Sequence, residues 1–256
     1  MTPVALPRAT RGGGRTAMKE LLEPVLKQLP SYVPDLARLV TRPKTSIARW
    51  IAEEQAALAR PVIFVALSVA IGFLLQLPRV DKDQSLTTMV AAMAGFKIVA
   101  LIVFAAVVHG LFRLSGGQAK FVATLSAYLY SVSPLYIVLV LFDLASLGTL
   151  RGHADPAFAA ALRTDPFMNE HPALWKAFEA ARPDLARTYV AIGVARLGVI
   201  LAWFVACWGA FRALHGVSRW RSSLIGVAAP IAFYLFMQGM GLVMRGMFGT
   251  QLPAIQ

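Results

Sequence analysis

Five long apolar runs dominate the pattern of hydrophobic and polar positions along the chain. They extend over about 61–77, 86–111, 121–147, 189–211 and 224–248. A helix needs about 20 predominantly apolar residues to cross a ~30 Å hydrocarbon core, so each run predicts a transmembrane helix, the first being the shortest. Ahead of them, Leu21, Leu22, Val25, Leu26 and Leu29 recur at helical spacing between Lys19, Glu20, Glu23 and Lys27. This predicts a short amphipathic helix over 17–29, strained by Pro24. A second helix is expected over 46–60, with Ile47, Trp50, Ile51 and Leu58 on one side. Both helices either pack on the protein's own cytoplasmic face or lie on the membrane surface, and Trp50 suits a headgroup-level position. Between the third and fourth runs lies a loop over 148–186. Its Asp155-Pro156 and His171-Pro172 pairs mark two short helix starts. Phe158, Leu162, Leu174, Trp175 and Phe178 of that loop are expected on the membrane or capping the bundle. The predicted fold is all-α: a polytopic membrane protein, a five-transmembrane-helix bundle with N-terminal amphipathic helices. Residues 1–41 form a basic cytoplasmic tail and 42–256 the membrane domain.

Composition agrees with burial in lipid. Hydrophobic residues are 57% and charged residues 15% of the 256, against roughly 25% charged in a soluble domain. The distribution of Lys and Arg then orients the chain. Ten precede residue 61. The loop after the first run balances Arg79 and Lys82 with Asp81 and Asp83. Arg113 and Lys120 follow the second run without an acid, the 148–188 region holds five basic and five acidic residues, and Arg212, Arg219 and Arg221 follow the fourth run without an acid. Uncompensated basic loops alternate with balanced ones, which places the N-terminus in the cytoplasm and the C-terminus outside. The net charge of +12 follows from this asymmetry, and a nucleic-acid partner is not expected. The first sixty residues lack an early apolar core, so no cleavable signal peptide is expected and the first span serves as signal and anchor.

Four charges fall within spans: Lys97, Asp143, Arg196 and Arg245. Each costs about 2.5–3.5 kcal/mol near mid-membrane on insertion scales. With this topology all four lie in the outer half of the bilayer. They either form a polar pocket that receives a lipid phosphate or a small anion, with Asp143 paired most simply to Lys97, or they snorkel to the outer interface. His109 and His215 sit near the cytoplasmic ends of the second and fourth spans, as titrating groups or as interfacial hydrogen-bonding residues. His153 and His171, near Asp155 and Glu170, match no metal-ligand spacing; neither a metal nor a cofactor is expected. Cys207 reads as a small packing residue. Met237, Met240, Met244 and Met247 form a stripe on the fifth span, for binding or for packing. No HExxH, GxSxG, phosphate-binding glycine loop or dinucleotide fingerprint occurs, which weighs against an enzyme.

Three stretches carry a likeness. The first is Arg42-Pro43-Lys44 followed by Trp50, Ile51 and Glu53. The second is His109-Gly110-Leu111-Phe112-Arg113-Leu114-Ser115-Gly116-Gly117 with Phe121, Thr124, Tyr128, Tyr130 and Pro134. The third is His215-Gly216-Val217-Ser218 with Arg221 and Pro230. Together they resemble the bacterial branch of the Yip1-domain family of multi-pass membrane proteins, from about Arg42 onward. The resemblance implies a five-span fold and little chemistry. Eukaryotic relatives contact small GTPases, but their aspartate-leucine-tyrosine-glycine-proline signature has no counterpart here, so that partner does not carry over. Physically, Gly116-Gly117 makes a tight turn between the second and third spans, flanked by Arg113 and Lys120 at headgroup level. Pro134 and Pro230 are expected to kink their helices. The expected function is a non-enzymatic inner-membrane scaffold or accessory subunit. It would organise membrane lipids, anionic ones among them, and a membrane-protein partner or a second copy of the chain. The alternatives are transport or binding of a lipid or small anion through the outer pocket, and a lipid-modifying enzyme.

Overall fold

The structure, a computed structural model, describes residues 13–53, 57–76, 86–150, 158 and 172–248; the side chains of 13–22, 24, 25, 86–97, 147, 150 and 237–248 lie outside that description. Eight helices are found among the described residues: α1 (Gly13–Thr41), α2 (Pro43–Glu53), α3 (Ala59–Gln76), α4 (Leu86–Leu114), α5 (Phe121–Leu150), α6 (Pro172–Ala181), α7 (Pro183–His215) and α8 (Arg219–Phe248). No strand occurs among these residues. The five apolar runs correspond to α3, α4, α5, α7 and α8. Among the described residues, Ala59–Gln76, Phe121–Ser146 and Pro183–His215 are long and apolar enough to cross a membrane, and Ile98–Leu114 is a shorter apolar stretch.

α5 stands at the centre and packs against α1, α2, α3, α4 and α7. Its buried positions are largely small: Ala123, Thr124, Ser126, Ala127, Ser131 and Ser133. Small residues let helix backbones approach where no water is available to drive association. The hydroxyls of Ser131 and Ser133 bond back to the carbonyls of Ala127 and Leu129 at 2.7 and 2.8 Å, so these polar groups enter the core satisfied. Pro134 lies inside α5 and cannot donate to the Tyr130 carbonyl. One residue on, the Ser131 carbonyl accepts the Trp203 indole N–H at 2.7 Å, which ties α5 to α7. On the other side, Gly72 of α3 faces Tyr136 and Val140 of α5. A Cβ there would stand 2.6 Å from Tyr136 Cε1, so only glycine fits at this approach.

The N-terminal helices belong to the same core. Tyr32 of α1, Trp50 of α2, Phe64 of α3 and Tyr130 of α5 form one aromatic cluster, with centroid separations of 4.8 Å for Tyr32–Phe64, 5.0 Å for Trp50–Tyr130 and 5.8 Å for Phe64–Tyr130. Each such pair contributes about 0.5–1.5 kcal/mol beyond burial. The Tyr32 hydroxyl meets Ser68 Oγ at 2.8 Å. Asp35 is buried and pairs with Arg60 at 2.7 Å, and the Arg60 guanidinium lies over the Trp50 ring at 5.2 Å.

Two expectations are corrected here. α1 is one helix over Gly13–Thr41 rather than 17–29. It continues past Pro30 and Pro34 because both lie on its exposed face, where the carbonyls they leave without a donor can be solvated. Trp50 is not a headgroup anchor: it is buried among the rings just named. With Ile47 and Ile51 it seats α2 on the protein itself. Between the third and fourth apolar runs, α6 starts at Pro172 as expected. The helix expected after Pro156 lies outside the described residues, as does Leu162. Phe158, Trp175 and Phe178 stack on one another and on Leu185 and Tyr189 at the start of α7, so they cap α7.

Gly72→Leu is expected to separate α3 from α5 and to lower stability by about 1–3 kcal/mol. A thermal melt in mild detergent checks this; an unchanged melting temperature contradicts the close approach.

Candidate functional site

The structure gathers the basic and glycine-rich motifs of two distant chain segments at one end of the bundle. α4 ends at a turn in which Gly116 has φ +89°, and α7 ends at Gly216 with φ +67°. Both are left-handed positions that glycine occupies without the penalty other residues incur. The Gly117 N–H bonds to the Phe112 carbonyl at 2.8 Å and the Gly216 N–H to the Arg212 carbonyl at 3.0 Å, so each turn closes its helix. The two turns are then joined: the Gln118 N–H donates to the His215 carbonyl at 3.2 Å, and Arg221 Nη1 donates to the Ser115 carbonyl at 3.2 Å.

Beneath the turns, Thr124 of α5 stands between two imidazoles. Its Oγ1 is 3.0 Å from His109 Nδ1 and 3.0 Å from His215 Nε2. One hydroxyl thereby links α4, α5 and α7, since it can donate once and accept twice. His215 is buried and stacks on Phe112 with ring centroids 4.4 Å apart and planes 9° apart. Its Nδ1 is buried and has no hydrogen-bond partner among the described residues. Gly117 covers that nitrogen: a Cβ at 117 would lie 2.7 Å from His215 Nδ1 and 2.8 Å from the Phe112 oxygen. The glycine pair therefore has two jobs, a positive φ at Gly116 and room for an imidazole at Gly117. Arg113 donates to the Gly117 carbonyl at 3.3 Å, and the Lys120 carbonyl accepts the N–H groups of Ala123 and Thr124 at the start of α5. The side chains of Arg113, Lys120, Arg219 and Arg221 are exposed around this end. Arg42, Lys44 and Arg49 of the N-terminal segment are exposed too; Lys44 lies against Gly209 of α7.

The intramembrane charges behave differently. Asp143 of α5 pairs with Arg196 of α7, Oδ1 to Nη1 at 2.6 Å, both partly exposed. α5 packs along α7 and brings these positions opposite each other, whereas the expected pairing with Lys97 falls on a side chain outside the described residues. The pair lies about 28 Å along α5 from Thr124 at 1.5 Å per residue. Lys97 is carried by α4 and Arg245 by α8, with their side chains outside the described residues, as are those of the four methionines of α8. His153 and His171 also fall outside. Among the described residues no three His, Cys, Asp or Glu side chains converge to hold a metal, and Cys207 is buried in the core.

Thr124, Phe112 and Trp208 complete this end of the bundle but were not singled out as site residues. Thr124 and Phe112 lay inside the recognised motif. Trp208, whose indole donates to the Ser222 carbonyl at 2.9 Å, left no periodic or motif signal.

These features define a polytopic helical membrane protein with a pair of interlocked turns at one end of the bundle. The chain matches the Yip1 domain over residues 37–240 and belongs to that family of membrane proteins. The match contains all three stretches that carried the likeness; it starts within α1 and leaves 241–256 beyond it. No curated protein and no solved structure matches the chain.

Gly117→Ala is expected to displace the His215 ring and destabilise the fold by about 1–3 kcal/mol. Thr124→Val, which keeps the shape and removes the hydroxyl shared by two imidazoles, should cost about 1–3 kcal/mol. Thermal unfolding in detergent checks both; variants as stable as the parent contradict the clamp.

Proposed function

We propose that the chain is a five-span protein of a bacterial inner membrane, with a cytoplasmic N-terminus and an external C-terminus. In this reading it acts as a non-enzymatic scaffold or accessory subunit that organises protein partners and lipids. One observation carries the reading. α1 and α2 are docked into the core shared by α3, α5 and α7 through Tyr32, Trp50, Phe64 and Tyr130, so the basic N-terminal face is held in fixed register with the bundle. A rigid, charged face presented at one end suits recruitment: positions are set in advance and little ordering is required on binding.

The five-span arrangement draws support from the contact between the α4–α5 and α7–α8 turns. Turns at the same end require an even number of crossings between them, as in alternation through α5 and α7. Basic residues concentrate at that same end, which supports its cytoplasmic placement. The exposed apolar residues of α7, Val190, Val194, Leu197, Leu201 and Val205, form a helical stripe suited to lipid or to a partner span. The Asp143–Arg196 pair would then lie toward the outer end, where partial exposure lets both groups reach the interface.

Orientation is checked with single cysteines at Ser218 and Ala173, read with a membrane-impermeant maleimide. Ala173→Cys should label in spheroplasts with an intact inner membrane, and Ser218→Cys only after permeabilisation. The reverse pattern overturns the topology. For recruitment, native mass spectrometry of protein extracted gently from its own membrane should show a stoichiometric partner. Arg42→Glu with Arg49→Glu should release it while the fold survives; in-membrane crosslinking that yields no partner argues against the scaffold.

A further inference from the structure

We infer that the cleft between the paired ends of α7 and α8 is a binding site for one anionic phospholipid of the inner leaflet. The inference rests on the orientation proposed above, which makes this end cytoplasmic. α7 packs chiefly on α5 and α8 chiefly on α4. The two helices, joined only by Gly216-Val217-Ser218, therefore diverge and leave a cavity of about 420 Å³ between them, within the range of small-ligand sites.

Its lining is graded along the helix axes. At the turn stand Arg212, in the last turn of α7, and Arg219, the first residue of α8. One turn deeper are Ser222, Ser223 and Trp208, and below them Val227 and Phe204. Among the described residues no carboxylate lines the cleft. From Arg212 to Phe204 the cleft runs about 12 Å at 1.5 Å per residue. This order of cation, hydroxyl and hydrocarbon matches the order of phosphate, glycerol ester and acyl chain in a phospholipid entering from the headgroup layer.

One further observation points to an occupant: the wall of the cleft is preformed. The Trp208 indole rests on Gly226, where a Cβ would stand 3.2 Å from the ring, and its N–H is held by the Ser222 carbonyl. Beyond Val205 and Val227 of the lining, exposed Leu201 and Ile231 continue the apolar surface, so an acyl chain leaves the site directly into the bilayer. A soluble phosphate would use only the rim. A second copy of the chain would have to supply an anionic group at this depth.

The test is native mass spectrometry of the delipidated full-length protein with phosphatidylglycerol, phosphatidylethanolamine or inorganic phosphate added. Phosphatidylglycerol should bind at one equivalent, more tightly than phosphatidylethanolamine, and inorganic phosphate should not displace it. Arg212→Gln with Arg219→Gln should weaken phosphatidylglycerol roughly ten- to thirtyfold, as expected for losing two basic contacts, and should erase the headgroup preference. Val227→Trp, which fills the cleft from an exposed position, should weaken both lipids. Arg187→Gln, at the opposite end of α7, should change neither. The site is refuted if the double arginine variant retains phosphatidylglycerol like the parent, if inorganic phosphate competes equally, or if Val227→Trp blocks dimer formation without affecting lipid. Since α1 and α2 are untouched by these variants, partner retention through Arg42 and Arg49 reads out separately, and either proposal can fail alone.

Discussion

Between two helices in hydrocarbon there is no water to expel, so their separation is set by how closely side chains let the backbones come and by the hydrogen bonds they exchange. α5 meets this constraint on both sides. Toward α3 it presents Tyr136 and Val140 to Gly72, and toward α7 it offers the Ser131 carbonyl to Trp203. With α5 fixed, Tyr130 receives Trp50 and Phe64, and through these rings α1 and α2 acquire their places. The N-terminal helices are consequently extensions of the bundle, although their sequence is amphipathic and strongly charged.

The same helix organises the polar end. Thr124 lies on the first turns of α5, where its hydroxyl reaches imidazoles from α4 and α7. The turns above are short because glycine allows a left-handed residue at Gly116 and Gly216. They are mutually fixed because Gln118 and Arg221 donate across them. The histidines are therefore held within a packed joint, which accounts for the His-Gly pairs near the ends of α4 and α7 without requiring either to react. What remains exposed around the joint is positive charge. The proposed recruitment of a partner and the proposed retention of an anionic lipid would both draw on that charge, at neighbouring but separable positions: Arg42 and Arg49 on the N-terminal side, Arg212 and Arg219 at the cleft.

Membership in the Yip1 domain family accounts for the conjunction of apolar helices with these turn motifs. The family match shows the architecture, and the placement of charge is read from individual side chains. Asp143 and Arg196 illustrate this. Pairing removes one of the cations that an outer anion pocket would need, whereas Arg212 and Arg219 face a cleft with no carboxylate among its described lining residues.

Sequence by itself determined the positions of the helices, because apolar runs of this length and glycine-proline punctuation act locally. The runs ending near residues 77, 111, 147, 211 and 248 correspond to α3, α4, α5, α7 and α8, and the positive-inside bias needs no tertiary information. It also marked two turn motifs, His109 with Gly116 and Gly117, and His215 with Arg221, as expected on the same side of the membrane. Tertiary structure alone decided which surfaces met. Amphipathic periodicity cannot distinguish a face buried on protein from one resting on lipid, so the burial of Trp50 was not legible. The continuation of α1 past Pro30 and Pro34 depended on which face those prolines took. The pairing of Asp143 with Arg196 depended on which helices packed side by side. The cleft beside Trp208 arises because α7 and α8 follow different neighbours, a divergence to which no single segment of the sequence corresponds.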